Sequence, residues 1–199
     1  MIPRRLQFIV AALVLAIFAM GSYLVHLKRK AESIAAPPAA QALTPPVNGP
    51  AGQITLYLAN DQEDSLRPVT ITSALPSDPG ERGRLTLHTL AARYLEKDSA
   101  HPLGAGADVR DVYLLDPASA VVNLNPAFAE SHPSGIEVEQ LTVFSLVLTL
   151  KAQLPQLSRV RFLVDGKSRD TLAGHIDLTG WYDVAMVTEA ATEAASELK

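Results

Sequence analysis

The chain has no cysteine. Disulfides, zinc–thiolate sites, a cysteine nucleophile and a lipid-modified cysteine anchor are therefore excluded. Aromatic residues make up only 6% of the 199 residues, with a single tryptophan. Acidic residues are absent from the first thirty positions, where Arg4, Arg5, Lys28, Arg29 and Lys30 flank an apolar run. From Ala31 onward the remaining 12 basic residues face 21 acidic ones, a net charge of −9. A surface of that sign repels phosphate backbones, so nucleic acid is excluded as a partner.

The apolar run itself, Leu6 to Leu27, is interrupted only by Gln7, Gly21, Ser22 and His26. At about 1.5 Å per residue a helix of this length spans roughly 30 Å, the hydrocarbon thickness of a bilayer. A cleaved signal peptide has a shorter apolar core and a small-residue cleavage site. Here Lys28-Arg29-Lys30 follows the run directly, so residues 1–30 read as a cytoplasmic N-terminus and a retained single span. The basic residues on the two sides nearly balance, and charge alone leaves the orientation open.

Residues 31–52 are rich in alanine and proline, including Ala35-Ala36-Pro37-Pro38-Ala39-Ala40 and Pro45-Pro46-Val47-Asn48-Gly49-Pro50. Such a composition cannot bury a core and favours extended polyproline II, a spacer between membrane and domain. Residues 184–199 repeat Thr-Glu-Ala-Ala without an apolar face and read as a frayed tail. The folded domain is expected over residues 53–183.

Within it Ile54 to Leu58 alternates as a strand, and Val69 to Thr72 reads as a short second one. Asp78-Pro79-Gly80-Glu81 carries the chemistry of a helix start. Leu87, Leu90, Ala91, Tyr94 and Leu95 then fall on one helical face. Val109 to Leu115 and Ala120 to Leu124 form a hairpin about Asp116-Pro117-Ala118-Ser119. Ser134 to Glu137 matches a capping box, with Ser134 as the cap of a long helix to Leu154 that buries Phe144. Arg159 to Val164 is a further strand closed by Asp165-Gly166, and Leu172 to Leu178 is expected to pair beyond it. The order predicts an α+β fold: a small mixed β-sheet with two helices packed on one face, preceded by one transmembrane helix.

Several blocks resemble the GerMN domain, a module of sporulation, germination and other cell-envelope proteins. They are Ile54-Thr55-Leu56-Tyr57-Leu58, Ala120-Val121-Val122-Asn123-Leu124 and Glu139-Gln140-Leu141 leading to Thr149-Leu150 and Leu154-Pro155. The last is Val160-Arg161-Phe162-Leu163-Val164-Asp165-Gly166-Lys167, followed by Thr171-Leu172-Ala173-Gly174-His175-Ile176-Asp177-Leu178. The resemblance implies a non-catalytic module, similar to ring-building domains, lying outside the cytoplasmic membrane with the N-terminus inside. The chain differs from better-known members in carrying one copy, no lipoprotein cysteine and no fused amidase domain.

Catalytic and metal signatures are weak. Gly104-Ala105-Gly106 precedes a strand rather than following one, which reads as a loop and not a nucleotide site. Among His26, His88, His101, His132 and His175 no pair stands four residues apart, and His175-Ile176-Asp177 reads as strand rather than as two metal ligands. Ser134 near His132 is explained as a cap without hydrolase chemistry. Trp181-Tyr182 is the one adjacent aromatic pair, a thin basis for a glycan site. The reading is a membrane-anchored, extracytoplasmic interaction module with no cofactor, metal or catalytic residue. Its partner is an envelope protein or a second copy, or alternatively peptidoglycan, and the pattern names no binding residue.

Overall fold

The computed structural model describes residues 49–197, of which 195–197 are described by their backbone alone. The transmembrane helix expected over residues 1–30 and most of the spacer lie outside the described residues. Among the described residues no helix is long and apolar enough to cross a membrane.

The chain opens with a long antiparallel hairpin, β1 (Ala51–Asn60) and β2 (Ser65–Ala74). Helix α1 (Pro79–Tyr94) follows, then the hairpin β3 (Val109–Asp116) and β4 (Ser119–Leu124). A short α2 (Pro126–Glu130) and a long α3 (Ile136–Gln153) lead to β5 (Arg159–Val164), parallel to β4. A two-residue β6 (Tyr182–Asp183) and helix α4 (Val184–Glu197) complete it. The fold is mixed α+β, but in place of one sheet there are two: β1-β2, and a four-stranded β3-β4-β5-β6. Among the described residues there are four helices in place of the two expected for the domain.

Local chemistry explains several element ends. The Asp78 carboxylate accepts the Glu81 amide at 2.8 Å and Pro79 sits at the first helical position, as the sequence predicts for α1. Leu87, Leu90, Ala91 and Tyr94 are buried, whereas Leu95 terminates the helix and is 43% exposed. Asp165 and Gly166 both take positive φ (52° and 73°), the geometry of a primed hairpin turn. Leu172 to Leu178 does not extend the sheet. It forms a loop pinned by fully buried Leu172 and Leu178, with one bridge between Thr171 and Asp177.

Helix α3 is the centre of the molecule, in contact with β1, α1 and α4. Leu146, Val147 and Leu150 are buried against Ile54, Leu56, Leu87 and Leu90. Phe144, expected on the buried side, is only half-buried, beside Leu66, Leu141 and Ala191. The 184–197 segment is helical rather than frayed, because Val184 and Val187 are buried and hold α4 near α3, β2 and β6.

Side chains satisfy the edge of β1 that faces away from β2. The Tyr57 amide donates to Thr149 Oγ1 at 2.8 Å, and Ser145 Oγ donates to the Tyr57 carbonyl at 2.6 Å. The Ala59 amide donates to Tyr94 Oη at 2.9 Å, and Gln153 donates to the Gln53 carbonyl at 3.1 Å. Buried backbone groups need partners, and here hydroxyls on α1 and α3 stand where a third strand would. Removing the Tyr94 hydroxyl (Tyr94→Phe) is expected to cost about 1–3 kcal/mol, because the Ala59 amide loses its acceptor. Leu150→Ala is expected to cost about 2–5 kcal/mol through the cavity it leaves. Urea denaturation followed by circular dichroism checks both; a Tyr94→Phe variant as stable as the parent would refute the edge assignment.

Candidate functional site

Two clusters join buried titratable side chains, and each is built on a residue of α3. The first is built on Glu139, in the opening turns of α3 and fully buried. Its Oε2 accepts the amides of Ala173, His175 and Ile176 at 2.9–3.1 Å. Its Oε1 meets His175 Nδ1 at 2.8 Å and accepts the Gly135 amide at 3.3 Å. The 171–178 loop thus wraps a single carboxylate. Burial opposes its charge, but the Ile176 amide, the His175 ring and the Ala173 and His175 amides outweigh that cost and bring its pKa down to about 2.

The second cluster runs Asp61–His101–Thr142–His132. Asp61 pairs with His101 Nδ1. His101 Nε2 lies 2.6 Å from Thr142 Oγ1, and His132 Nε2 lies 2.7 Å from the same oxygen. His132 Nδ1 faces the Pro133 carbonyl at 2.6 Å. The Tyr94 ring meets His101 edge-on at 4.7 Å, and Phe128 stacks on His132. Burial holds both imidazoles below the ordinary 6.5, with the Asp61 carboxylate opposing it at His101 and the Pro133 carbonyl at His132.

Each cluster imitates catalytic geometry and fails a different requirement. Asp61–His101–Thr142 has a carboxylate on one ring nitrogen and a hydroxyl on the other, the order of a nucleophilic triad. Yet His101 and Thr142 are both completely buried, and no substrate reaches them. Ser134–His175–Glu139 is more exposed, but Ser134 Oγ (3.4 Å) and Glu139 Oε1 (2.8 Å) share the same nitrogen, Nδ1. A relay needs the two opposite nitrogens.

The other residues singled out by sequence separate as well. Ser134 does not cap α3. Gly135 is the cap residue, without a side-chain cap, and its amide is taken by Glu139. His132 bonds Thr142 rather than Ser134. Asp177 accepts the Thr179 amide at 2.7 Å, apart from His175. Among the described residues no group of three metal-ligating side chains occurs. Gly104 sits where a Cβ would come within 2.1 Å of Ser131, which accounts for that glycine as a close approach in a loop. Trp181 and Tyr182 part company: Trp181 lies over Arg159, while Tyr182 is half-buried against Phe162 and donates to the Asp177 carbonyl. Sequence reading missed Asp61, Thr142, Ser145 and Thr149. The last three recur at helical spacing in an otherwise apolar run, a legible sign of a hydroxyl-bearing buried face.

A family model described as Germane, sporulation and spore germination, matches residues 55–170. No curated protein matches the chain. The tandem GerMN domains of the sporulation protein GerM from Bacillus subtilis superpose with a TM-score of 0.50 at 17% identity, covering 66% of this chain and 45% of that one. That likeness is one of fold. The first GerMN domain of the same protein (19% identity, 65% and 94% covered, TM-score 0.42) is also similar. So is a putative lipoprotein from Clostridium perfringens (18% identity, 67% and 87% covered, TM-score 0.42).

The pH dependence of folding carries the signature of both clusters. Glu139 has a depressed folded-state pKa, so its contribution is complete above about 4.5 and is lost as pH falls through about 2. The two histidines have depressed values also, so the unfolded chain binds their protons first and stability declines as pH drops below 6.5. Glu139→Gln is expected to cost about 2–3 kcal/mol near neutral pH by weakening charge-assisted bonds. It should flatten the profile below about pH 4.5 while leaving the decline from 6.5 in place. Thermal melts across pH 3–7 check this; an unchanged acid limb would show that the carboxylate does not hold the loop.

Proposed function

The chain belongs to the Germane family of sporulation and spore germination, and we propose that it is a non-catalytic interaction module held at the outer side of a cell membrane. The supporting observation is where its polar chemistry goes. Glu139, His101, His132 and Thr142 are all buried and bonded to other parts of the chain. They close loops onto α3, and among the described residues they leave no convergent set of reactive groups at a cleft. Exposed apolar side chains lie instead on the outer surface, among them Tyr113, Leu115 and Trp181.

Tethering rests on the sequence alone. The Leu6–Leu27 run is long enough to span a bilayer, and the Ala/Pro-rich segment after it suits a spacer. The partner in this reading is another envelope protein or a second copy of the chain. Peptidoglycan is the lesser reading, since Trp181 is engaged by Arg159 and Tyr182 is turned inward.

Two measurements on the full chain test the proposal together. A C-terminal reporter active only outside the cytoplasm should work. A folded His175→Ala variant, which loses one bond to Glu139 but no triad, should retain cellular function. A reporter active only in the cytoplasm would overturn the location. A well-folded His175→Ala variant without function would overturn the non-catalytic reading.

A further inference from the structure

The four-stranded sheet has one face turned to the helices and one turned away. On β5, Val160, Phe162 and Val164 are buried, so Arg159, Arg161 and Leu163 point to the other side. The strand register then places the outer face in rows. Tyr113, Val121 and Arg161 form the middle row across β3, β4 and β5. Asp111, Asn123 and Leu163 form one flanking row, and Ser119 and Arg159 the other.

The polar members of the flanking rows are matched. Asn123 donates to Asp111 and accepts the Gly166 amide. Arg159 donates to Ser119 Oγ at 2.9 Å and lies 4.7 Å from the Trp181 ring. Arg161 is different. Its Nε is buried with no hydrogen-bond partner, and its guanidinium makes no ion pair among the described residues. A buried donor without an acceptor is costly, and a half-buried guanidinium gains from an anion. Apolar groups border it: Val121 and Leu163 half-buried, Tyr113 51% exposed. Strands lie about 4.8 Å apart, so the row offers one fork-shaped cation next to apolar contacts within about 10 Å.

We propose that this outer face, centred on Arg161, docks a carboxylate-bearing segment of a partner protein in which the acidic residue is flanked by aliphatic or aromatic side chains. The partner's carboxylate meets the two terminal nitrogens of the Arg161 guanidinium end-on, since Nε is buried, and its apolar neighbours lie on Tyr113, Val121 and Leu163. The local charge of this face selects the occupant, since Arg159 and Arg161 stand on it although the domain as a whole is acidic. The proposal rests on the interaction-module reading and names the surface that reading leaves open.

Trp181 is the sole tryptophan and borders the face through Arg159, so its fluorescence reports occupancy directly. The full chain in detergent is titrated with a synthetic peptide alternating Glu with Leu and Phe, and with the same peptide carrying Gln for Glu. The acidic peptide should give a saturable change that the Gln peptide does not. Arg161→Gln should weaken it at least tenfold and Arg161→Lys less, since one charge remains without the fork. Lys167→Gln, which removes an equal charge from an exposed turn beyond the end of β5, should leave it unchanged. Thermal melts establish that each variant is folded. Equal binding of the two peptides, equal loss in Arg161→Gln and Lys167→Gln, or no binding at all would overturn the proposal. So would a stronger response to soluble peptidoglycan fragments, or dimerisation of the chain without peptide that Arg161→Gln abolishes. Loss of peptide binding alone removes this face and leaves the module reading, which fails only by reporter location or by the His175→Ala result.

Discussion

The fold depends on the contact between α3 and the unpaired edge of β1. The β1-β2 hairpin stands alone as a two-stranded sheet, and such a pair is marginal in water. It is stabilised here because β1 lies against α3, whose Ser145 and Thr149 hydroxyls bond the Tyr57 backbone on the side away from β2. Tyr94 of α1 joins the same row through Ala59 and through Ser145 at 2.5 Å. The arrangement also explains a proline inside β2. Pro68 is opposite Tyr57, at a position whose amide would point outward, so no ladder bond is lost. A helix that is buried nearly all round must satisfy every polar atom it carries, and α3 does so by acting as the missing strand.

The same constraint reaches the loops. From its N-terminal end α3 presents Glu139 to the 171–178 loop, then Thr142 to His101 and His132, then Ser145 and Thr149 to β1. Each polar side chain gathers a different stretch of chain onto one helix. The buried histidines and carboxylate therefore belong to the architecture. The proposed recognition surface is the outer face of the larger sheet, where Arg161 Nε has no hydrogen-bond partner among the described residues. The buried polar side chains are used up by folding, and the proposed interaction role therefore falls to the surface.

Much of this was legible in the sequence, and the failures have physical causes. Local chemistry was read well where it acts locally: the Asp78 cap, the β3-β4 hairpin and the Asp165-Gly166 turn depend on a few adjacent residues. Ser134 carried the right residue type for a cap, but a side chain 41 residues away in sequence changes the balance there. Ser134 faces His175, and the Gly135 amide goes to Glu139. The two-sheet division was illegible because nothing in the Ile54–Leu58 alternation says whether its partner edge is a strand or a helix. The 184–197 segment looked featureless because its two anchoring valines precede the Thr-Glu-Ala-Ala repeat. Glu139 was visible as a residue but its role required the loop to be placed beside it.

Amide hydrogen exchange at two residues addresses the central claim most directly. In β1 the Tyr57 and Ala59 amides donate to side-chain oxygens rather than to another strand. If α3 and α1 replace a strand, these two amides exchange as slowly as the Leu56 and Leu58 amides that face β2, and all four open in one cooperative unit. Rapid exchange of Tyr57 and Ala59 beside protected Leu56 and Leu58 would show an open edge, and would contradict the account.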